Sequence, residues 1–307
     1  MDAPQVFCAA VLALTFASAA PASSIAQGRR PSPDPVIADP TRVDSAYPPS
    51  IEELAFESSR ARLNGLLYLA DGARAHPIVI LLHGLPGAER NLDLAQVLRR
   101  AGINVLFFSY RGAWGSGGTF SYGHALEDVA AAVRFVRSDS SVKTYRIDPH
   151  RVALVGHSMG GWLALMGVAV DTSVSCAAAL DLGNMGALGR RMGTDRRFDS
   201  LATGYEDWLT APGGPIHADG GRALTTELED HADAWDVASQ APALRRRPLL
   251  IVSTTTNEDH PPLIAALRAA RAQDVTALQW RTDHGFSDQR IMLARTVLGW
   301  LKSHCGF

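Results

Sequence analysis

The chain has 307 residues, 47% of them hydrophobic, and a formal net charge of −2 at pH 7. This length and apolar content predict a substantial core, in one large domain with an insertion or in two small domains. The near-neutral charge gives no electrostatic reason to expect nucleic acid or an anionic membrane as a partner.

Residues 1–26 are typical of a secretory signal peptide. Residues 6–20 are small and apolar, a run shorter than the about 20 residues that span a membrane. Residues 17–19 and 24–26 fit an A-x-A-like cleavage site, although Asp2 precedes the apolar run and no Lys or Arg does. We therefore expect a periplasmic or secreted protein with no stable membrane span. A disordered, Ala-rich N-terminus of a cytosolic protein is the alternative.

Residues 27–50 are rich in Pro, Ser, Asp and Arg. Such a composition buries little surface and predicts an extended linker or arm ahead of a domain at residues 51–307. Beyond the signal peptide the chain keeps Cys176 and Cys305. An oxidising compartment would permit a disulfide between them, but no pattern places them together, and two separate thiols is the favoured interpretation.

Apolar runs and helical periodicity alternate along the rest of the chain. The predicted strands are a hairpin at 54–69 that turns at Asn64-Gly65, then 77–82, 104–109, 151–155, 174–180, 249–253 and 275–280. The predicted helices are 91–101, 122–137, 161–170, 262–272 and 287–301. This alternation predicts βαβ units and a mostly parallel central sheet flanked by helices.

The alternation breaks at about 183–244, which is polar and too long for a plain loop. We interpret it as a mostly helical insertion over the carboxyl edge of the sheet. Because ligands of open α/β sheets bind at that edge, a lid that shapes a substrate pocket is favoured. A surface decoration without substrate contact is the alternative.

Residues 151–170 join a buried strand, the pentapeptide GHSMG at 156–160 and a small, apolar helix. Strand, G-x-S-x-G and helix in this order predict a nucleophile elbow, which presents a serine hydroxyl beside a helix N-terminus. Side chains at Gly156 and Gly160 would collide with the neighbouring strand and helix. The alternative is a tight turn with an idle serine.

Four motifs together resemble the α/β-hydrolase fold from about Leu54 to the C-terminus. They are HGLPG at 83–87, YRGAWGSGG at 110–118, GHSMG at 156–160 and DHGF at 283–286. The glycine-rich loop at 110–118 is similar to that of secreted or periplasmic bacterial hydrolases related to serine aminopeptidases and acylaminoacyl peptidases. The resemblance implies an α/β-hydrolase fold with a helical lid insertion, and it leaves the substrate open.

The resemblance assigns Ser158 as nucleophile and His284 as its base. A serine hydroxyl needs a base within hydrogen-bond reach. His284 follows the last predicted strand, in the order Ser, acid, His that the fold uses. A capping or surface histidine is the alternative interpretation of His284.

The triad acid is less clearly marked. The family places it in the loop after the strand that ends near Ser253, where this chain has Asn257 or a threonine in the usual position. Asp259 is the predicted acid, ahead of Glu258 because a shorter side chain is easier to hold fixed. Asp181, after the preceding strand, is a third candidate, and a solvated loop carboxylate is the alternative interpretation of Asp259.

The oxyanion hole is expected to use the backbone N–H groups of Met159 and Leu85. Trp114 and His157 are candidate residues of a substrate pocket, whereas Arg111 is expected to hold its own loop. His157 is expected to point away from Ser158.

No cofactor or metal is expected. A solvated face is favoured over a metal site for four residues of the insertion, namely His217, Asp219, His231 and Asp233. The sequence thus predicts a serine hydrolase that cleaves a carboxylic ester or related acyl bond in a small molecule. A peptidase acting on short peptides and a catalytically inactive binding protein of the same fold are the alternatives, and the oligomeric state stays open.

Overall fold

The computed structural model describes Met1 and residues 33–307. The rest of the predicted signal peptide and the first residues of the predicted linker lie outside the described residues. In the described part of the chain, no helix has both the length and the apolar character needed to cross a bilayer.

One sheet of eight strands organises residues 33–307. The strands are β1 (Ser50–Ser58), β2 (Ala61–Leu69), β3 (His76–Leu82), β4 (Asn104–Phe108), β5 (Ile147–His157), β6 (Cys176–Leu180), β7 (Leu249–Thr254) and β8 (Val275–Trp280). Their order across the sheet is β1-β2-β4-β3-β5-β6-β7-β8. β2 is antiparallel to both of its neighbours, and every other pair is parallel. The predicted mostly parallel α/β sheet is confirmed.

Helices cover both faces of this sheet, which is why its central strands are continuous apolar runs. The helices are α1 (Leu92–Arg100), α2 (Tyr122–Arg137), α3 (Asp139–Tyr145), α4 (Met159–Val170), α5 (Met185–Thr194), α6 (Arg196–Thr210), α7 (Gly221–Asp230), α8 (Ala241–Leu244), α9 (His260–Ala269) and α10 (Arg290–His304). Side chains of α2, α4 and α9 form the core on one face. Those of α1 and α10 form the core on the other.

The first hairpin turns at Ser59 and Arg60, and the predicted turn at Asn64-Gly65 is wrong. Both Ser59 and Arg60 have positive φ, 46° and 69°, as a two-residue hairpin turn of type I′ requires. Asn64 and Gly65 lie inside β2. A Cβ on Gly65 would stand 2.9 Å from the carbonyl oxygen of Phe107, so this glycine serves the close approach of two strands.

Helices α5 to α8 form the insertion between β6 and β7. One of its contacts is with the N-terminus of α2, where Glu227 accepts hydrogen bonds from the N–H groups of Tyr122 (2.8 Å) and Gly123 (3.1 Å). Glu206 accepts a 2.6 Å bond from the Tyr122 hydroxyl. A carboxylate at a helix N-terminus is electrostatically favourable. Since α2 follows the carboxyl end of β4, these bonds anchor the insertion at the edge where ligands of such sheets bind.

Residues 33–49 form no helix or strand, yet they are held to the domain. Arg100 Nε donates a 2.7 Å bond to the carbonyl of Pro35, and Asp34 pairs with Arg295 at 2.5 Å. Val36 is only 9% exposed and joins the core beside α1 and α10. This part of the predicted linker is therefore a docked arm, and it buries more than its composition predicted.

A disulfide joins Cys176, the first residue of β6, to Cys305, directly after α10, with Cα atoms 5.8 Å apart. The interpretation as two separate thiols is wrong. The two cysteines are 129 residues apart in sequence. They meet because α10 packs across the sheet and ends over the amino end of β6.

Candidate active site

Ser158 lies in the sharp turn between β5 and α4. Its backbone has φ 57° and ψ −123°, a conformation that costs a non-glycine residue about 1–3 kcal/mol and persists where its surroundings hold it. The Ser158 N–H donates a 2.9 Å bond to the carbonyl of Leu180, and the residue remains partly exposed. The turn therefore presents a serine side chain at the carboxyl edge of the sheet and at the N-terminus of α4.

The two glycines of the pentapeptide make this turn possible. A Cβ on Gly156 would stand 1.9 Å from the carbonyl oxygen of Gly160, and a Cβ on Gly160 would stand 2.2 Å from that of Leu82. Both neighbours are backbone atoms that cannot move aside. The spacing of the motif thus follows from the packing of strand, turn and helix.

His284 is paired with Asp181, which directly follows β6. His284 Nδ1 donates a 2.6 Å hydrogen bond to Asp181 Oδ2. Asp181 is only 4% exposed, whereas the His284 side chain is 58% exposed. A proton on Nδ1 leaves the Nε2 lone pair of a neutral imidazole free, which is the tautomer that a general base needs.

The structure brings Ser158 and His284 to the same edge of the sheet. Leu180, whose carbonyl anchors Ser158, immediately precedes Asp181, and His157 is hydrogen-bonded to His284. Within residues 33–307, neither the Ser158 hydroxyl nor His284 Nε2 makes a hydrogen bond. Bonds between a nucleophile and its base are often loose before substrate binds, so a candidate pair need not be bonded in the free protein.

Asp181 is held as an anion by three donors. Its Oδ1 accepts hydrogen bonds from the Thr254 N–H (2.7 Å) and the Asn257 side chain (2.9 Å). Burial by itself would raise the pKa of Asp181, but the bonds from His284, Thr254 and Asn257 together hold that pKa below its ordinary value. Asn257 occupies the position where a carboxylate was expected, and it supports the carboxylate of the neighbouring strand instead.

Asp259, the acid expected from sequence, does not contact His284. Its Oδ2 accepts a 2.8 Å bond from the Asn184 N–H, and burial raises its pKa. The Asn257 side-chain oxygen accepts a bond from the Asp259 N–H, which turns the chain into α9 and directs Asp259 toward the insertion. Glu258 is exposed and does not bond His284 either, so the structure favours the third candidate, Asp181.

His157 was a candidate residue of a substrate pocket, but it is buried against the segment that carries His284. It is 4% exposed, and its Nε2 lies 2.7 Å from the carbonyl oxygen of His284. The two imidazole rings are 4.6 Å apart between centroids. His157 points away from the Ser158 hydroxyl and toward the segment that carries His284.

Two free backbone donors lie beside Ser158. Within the described chain, the N–H groups of Met159 and Leu85 make no hydrogen bond. Met159 begins α4, and Leu85 follows Gly84, whose absent Cβ would lie 2.8 Å from Ser158 Cβ and 3.3 Å from Ser158 Oγ. The loop after β3 therefore comes into contact with the elbow, as an oxyanion hole made by these two groups requires.

A buried histidine supports that loop. His83 is 1% exposed, and its Nδ1 donates a 2.6 Å bond to the carbonyl of Gly84. Tyr110 donates a 3.0 Å bond to the His83 carbonyl, and the two rings pack 4.3 Å apart. Burial lowers the pKa of His83 to about 4, so this ring is neutral near pH 7 and braces the loop.

Trp114 packs beside the same loop. Its Nε1 donates a 2.5 Å bond to the carbonyl of Pro86, and the Arg90 guanidinium lies 4.7 Å from its ring. Trp114 is 39% exposed and lines a cavity of about 540 Å³ together with Arg62 and Phe107. Trp114 thus packs against Pro86, the residue after Leu85, and faces a cavity whose lining includes neither Ser158 nor His284, so its role in a substrate pocket stays a prediction.

Arg111 holds its own loop, as expected. Its Nε and N–H donate bonds of 2.7 and 2.8 Å to the Asp128 carboxylate, and its terminal nitrogen bonds Glu127 and the His124 carbonyl. The Asp128 side chain is fully buried, so the pair joins the glycine-rich loop to α2.

The four insertion residues considered as metal ligands do not form a metal site. His217 bonds the carbonyl of Gly118, and His231 stacks on Trp235 at 4.3 Å. Within residues 33–307, no group of three or more His, Cys, Asp or Glu side chains is arranged to hold a metal ion.

The sequence also matches known proteins. A sequence model described as "Alpha/beta hydrolase family" matches residues 79–292. The uncharacterized protein Rv2307c of Mycobacterium tuberculosis is 33% identical over 112 residues, which are 36% of this chain and 37% of that protein. The chain thus matches little more than a third of the length of this curated relative.

Solved structures share the fold at low sequence identity. Est1E from Butyrivibrio proteoclasticus superimposes with a TM-score of 0.63 and 17% identity, covering 83% of this chain and 99% of that one. The acylaminoacyl peptidase of Pyrococcus horikoshii gives a TM-score of 0.59 and 12% identity, covering 84% of this chain and 42% of that one. At such identities the likeness shows a shared fold.

Proposed function

Because the chain belongs to the alpha/beta hydrolase family, we propose that it is a serine hydrolase that cleaves a carboxylic ester or related acyl bond through an acyl-enzyme. One observation carries the proposal: the 2.6 Å bond between His284 and Asp181 lies beside the strained Ser158. A nucleophile, a base in the correct tautomer and a buried anion then occupy one edge of the sheet.

The reaction begins when Ser158 Oγ attacks the substrate carbonyl and gives its proton to His284 Nε2. The anionic oxygen of the tetrahedral intermediate accepts hydrogen bonds from the N–H groups of Met159 and Leu85. Each such donor is typically worth about 10²–10³ in rate. Asp181 stabilises the imidazolium, which then protonates the leaving group.

Water completes the cycle. His284 takes a proton from a water molecule, which attacks the acyl carbon, and the proton then returns to Ser158 Oγ as the acid leaves. An ester or thioester is the first substrate class, because an alcohol or thiol leaves more readily than an amine. A catalytically inactive binding protein of the same fold is the less favoured candidate, because Asp181 supplies His284 with a carboxylate partner.

A fluorophosphonate probe tests the nucleophile. We expect the purified protein to be labelled, Ser158→Ala to lose labelling, and the exposed control Ser200→Ala to keep it. Labelling that survives in folded Ser158→Ala, or its absence from the folded wild type, would overturn the proposal.

A substrate panel tests the bond that is cleaved. Hydrolysis of p-nitrophenyl esters of increasing acyl length is compared with hydrolysis of aminoacyl anilides under the same conditions. We expect the larger kcat/KM on an ester. A larger value on the anilides, lost in Ser158→Ala, would assign a peptidase that uses the same mechanism.

We also propose that the protein works in the periplasm or outside the cell. The Cys176–Cys305 disulfide supports this, because disulfides persist in oxidising compartments and are rare in the cytosol. Fractionation of cells that express the full chain tests it, with the periplasmic and culture fractions expected to hold the protein.

A further inference from the structure

We propose that His157, the residue before Ser158, is a positioning residue that fixes His284 for proton transfer. This inference rests on the proposed serine hydrolase function and adds to it a residue on which the base depends.

The contact between the two histidines is close, and the His157 side of it is buried. His157 Nε2 donates a 2.7 Å hydrogen bond to the carbonyl oxygen of His284. The rings lie 4.6 Å apart at 43°, and Phe286 packs against His157 edge-on at 6.5 Å. With 4% of its surface exposed, His157 is confined between the elbow and the segment that carries His284.

His284 has two hydrogen-bonded anchors within residues 33–307. Asp181 holds its ring at Nδ1, and His157 holds its backbone at the carbonyl oxygen. An imidazole held only at Nδ1 can pivot about that bond and swing Nε2 away from Ser158. The second bond holds the backbone from which the ring extends, so together with the bond to Asp181 it restricts where the basic nitrogen can point.

The protonation state of His157 suits this role. Burial, and then the neighbouring His284, lower the pKa of His157, so its ring is neutral and carries one N–H. A carbonyl oxygen only accepts, so that proton lies on Nε2. This proton is used in the hydrogen bond to the His284 carbonyl, so it does not take part in proton transfer with Ser158.

Two substitutions separate positioning from filling of space. His157→Leu keeps a side chain of similar bulk but has no donor. His157→Gln keeps an N–H donor at a reach close to that of Nε2. If the hydrogen bond matters, glutamine restores what leucine removes.

The matched control is His76, which begins β3 at the opposite edge of the sheet. It is fully buried, and its Nδ1 and Nε2 lie 2.9 and 3.2 Å from the carbonyl oxygens of Gly102 and Gly72. His76→Leu therefore removes contacts between a buried imidazole and backbone carbonyls far from Ser158. It is expected to lower stability and to leave kcat per folded molecule unchanged.

The experiment measures kcat and KM on a p-nitrophenyl ester, together with the rate of fluorophosphonate labelling. For His157→Leu we expect kcat to fall by about 10²-fold, as for a misplaced catalytic group, with KM little changed. His157→Gln is expected to recover most of the rate. The labelling rate is expected to follow kcat.

Equal rates for the leucine and glutamine variants, or full kcat in His157→Leu while Ser158→Ala is inactive, would overturn this inference and leave the proposed function standing. Activity retained in Ser158→Ala would instead overturn the proposed function. Should His157→Leu fail to fold, His157→Asn replaces it, because its amide nitrogen is too near the backbone to reach the His284 carbonyl. An active glutamine variant beside an impaired asparagine variant supports positioning, and equal activity refutes it.

Discussion

The backbone N–H of Ser158 donates a hydrogen bond to the carbonyl oxygen of Leu180, the last residue of β6, at a distance of 2.9 Å. The next residue along the chain is Asp181, which bonds His284. One strand end therefore anchors the turn that carries the hydroxyl and also supplies the carboxylate. This arrangement fixes their separation without any direct contact between Ser158 and Asp181.

Asp181→Asn is expected to lower kcat by about 10⁴-fold, the size of effect seen when a triad aspartate becomes an amide. Asparagine tolerates the φ of 43° at this position, so the fold is retained, but its amide no longer fixes the tautomer of His284. The matched variant Asp259→Asn is expected to leave kcat near the wild-type value. Ester hydrolysis by both variants checks this, and a larger loss for Asp259→Asn would contradict it.

Gly84→Ala is expected to lower kcat by about 10²-fold with only a modest loss of stability. The new Cβ would stand 2.8 Å from Ser158 Cβ and would push the Leu85 N–H away from the oxyanion.

The control for Gly84 is Gly299, which lies within α10 and whose added Cβ would meet no atom within 4 Å. Gly299→Ala is expected to raise stability by about 0.5–1 kcal/mol, because alanine loses less backbone entropy in a helix. Steady-state kinetics and urea unfolding measure both variants. If Gly84→Ala and Gly299→Ala change kcat and stability alike, the contact of an added Cβ with Ser158 does not explain the loss of rate.

Glu206 is expected to make stability fall as pH rises. Burial raises its pKa from 4.5 to about 7, so the folded state binds a proton that the unfolded state has released. The contribution to the free energy of unfolding is therefore lost between about pH 4.5 and 7, and it amounts to roughly 3 kcal/mol at most.

The measurement is urea unfolding at pH 5 and pH 8. Glu206→Gln is expected to lose less stability between these values than the wild type, because it stays neutral. Glu53→Gln, which removes the same charge from an exposed position, is expected to behave as the wild type. If Glu206→Gln loses as much stability between pH 5 and pH 8 as the wild type, then the Glu206 carboxyl ionises in the folded protein without destabilising it.

The double variant Cys176→Ala/Cys305→Ala is expected to lower the free energy of unfolding by about 2–5 kcal/mol. The bond closes a long loop, so its loss frees the unfolded chain. The wild-type Tm is expected to fall on addition of dithiothreitol, and that of the variant is expected to be insensitive to it. A wild-type Tm that does not respond to the reductant would mean that the bond adds no stability.

Local patterns in the chain were sufficient for the elbow and for the order of the strands, but the short helix α3 was not predicted. The elbow depends on residues within a few positions of one another, since the space for Gly156 and Gly160 is set by the strand and helix that flank them. The strands of the parallel sheet are buried on both faces, so continuous apolar runs marked them. His284 could be located because it follows the last of these strands.

Tertiary structure alone decided which carboxylate meets His284, which cysteines pair and what His157 touches. Asp181 and Asp259 both follow a strand at the same edge, and the choice between them depends on the Asn257 side chain, which donates to Asp181 and accepts a bond from the Asp259 N–H at the start of α9. Cys176 and Cys305 meet because a helix crosses the sheet. Contacts between segments 100 or more residues apart are set by packing in three dimensions, and the local periodicity of the sequence does not predict them.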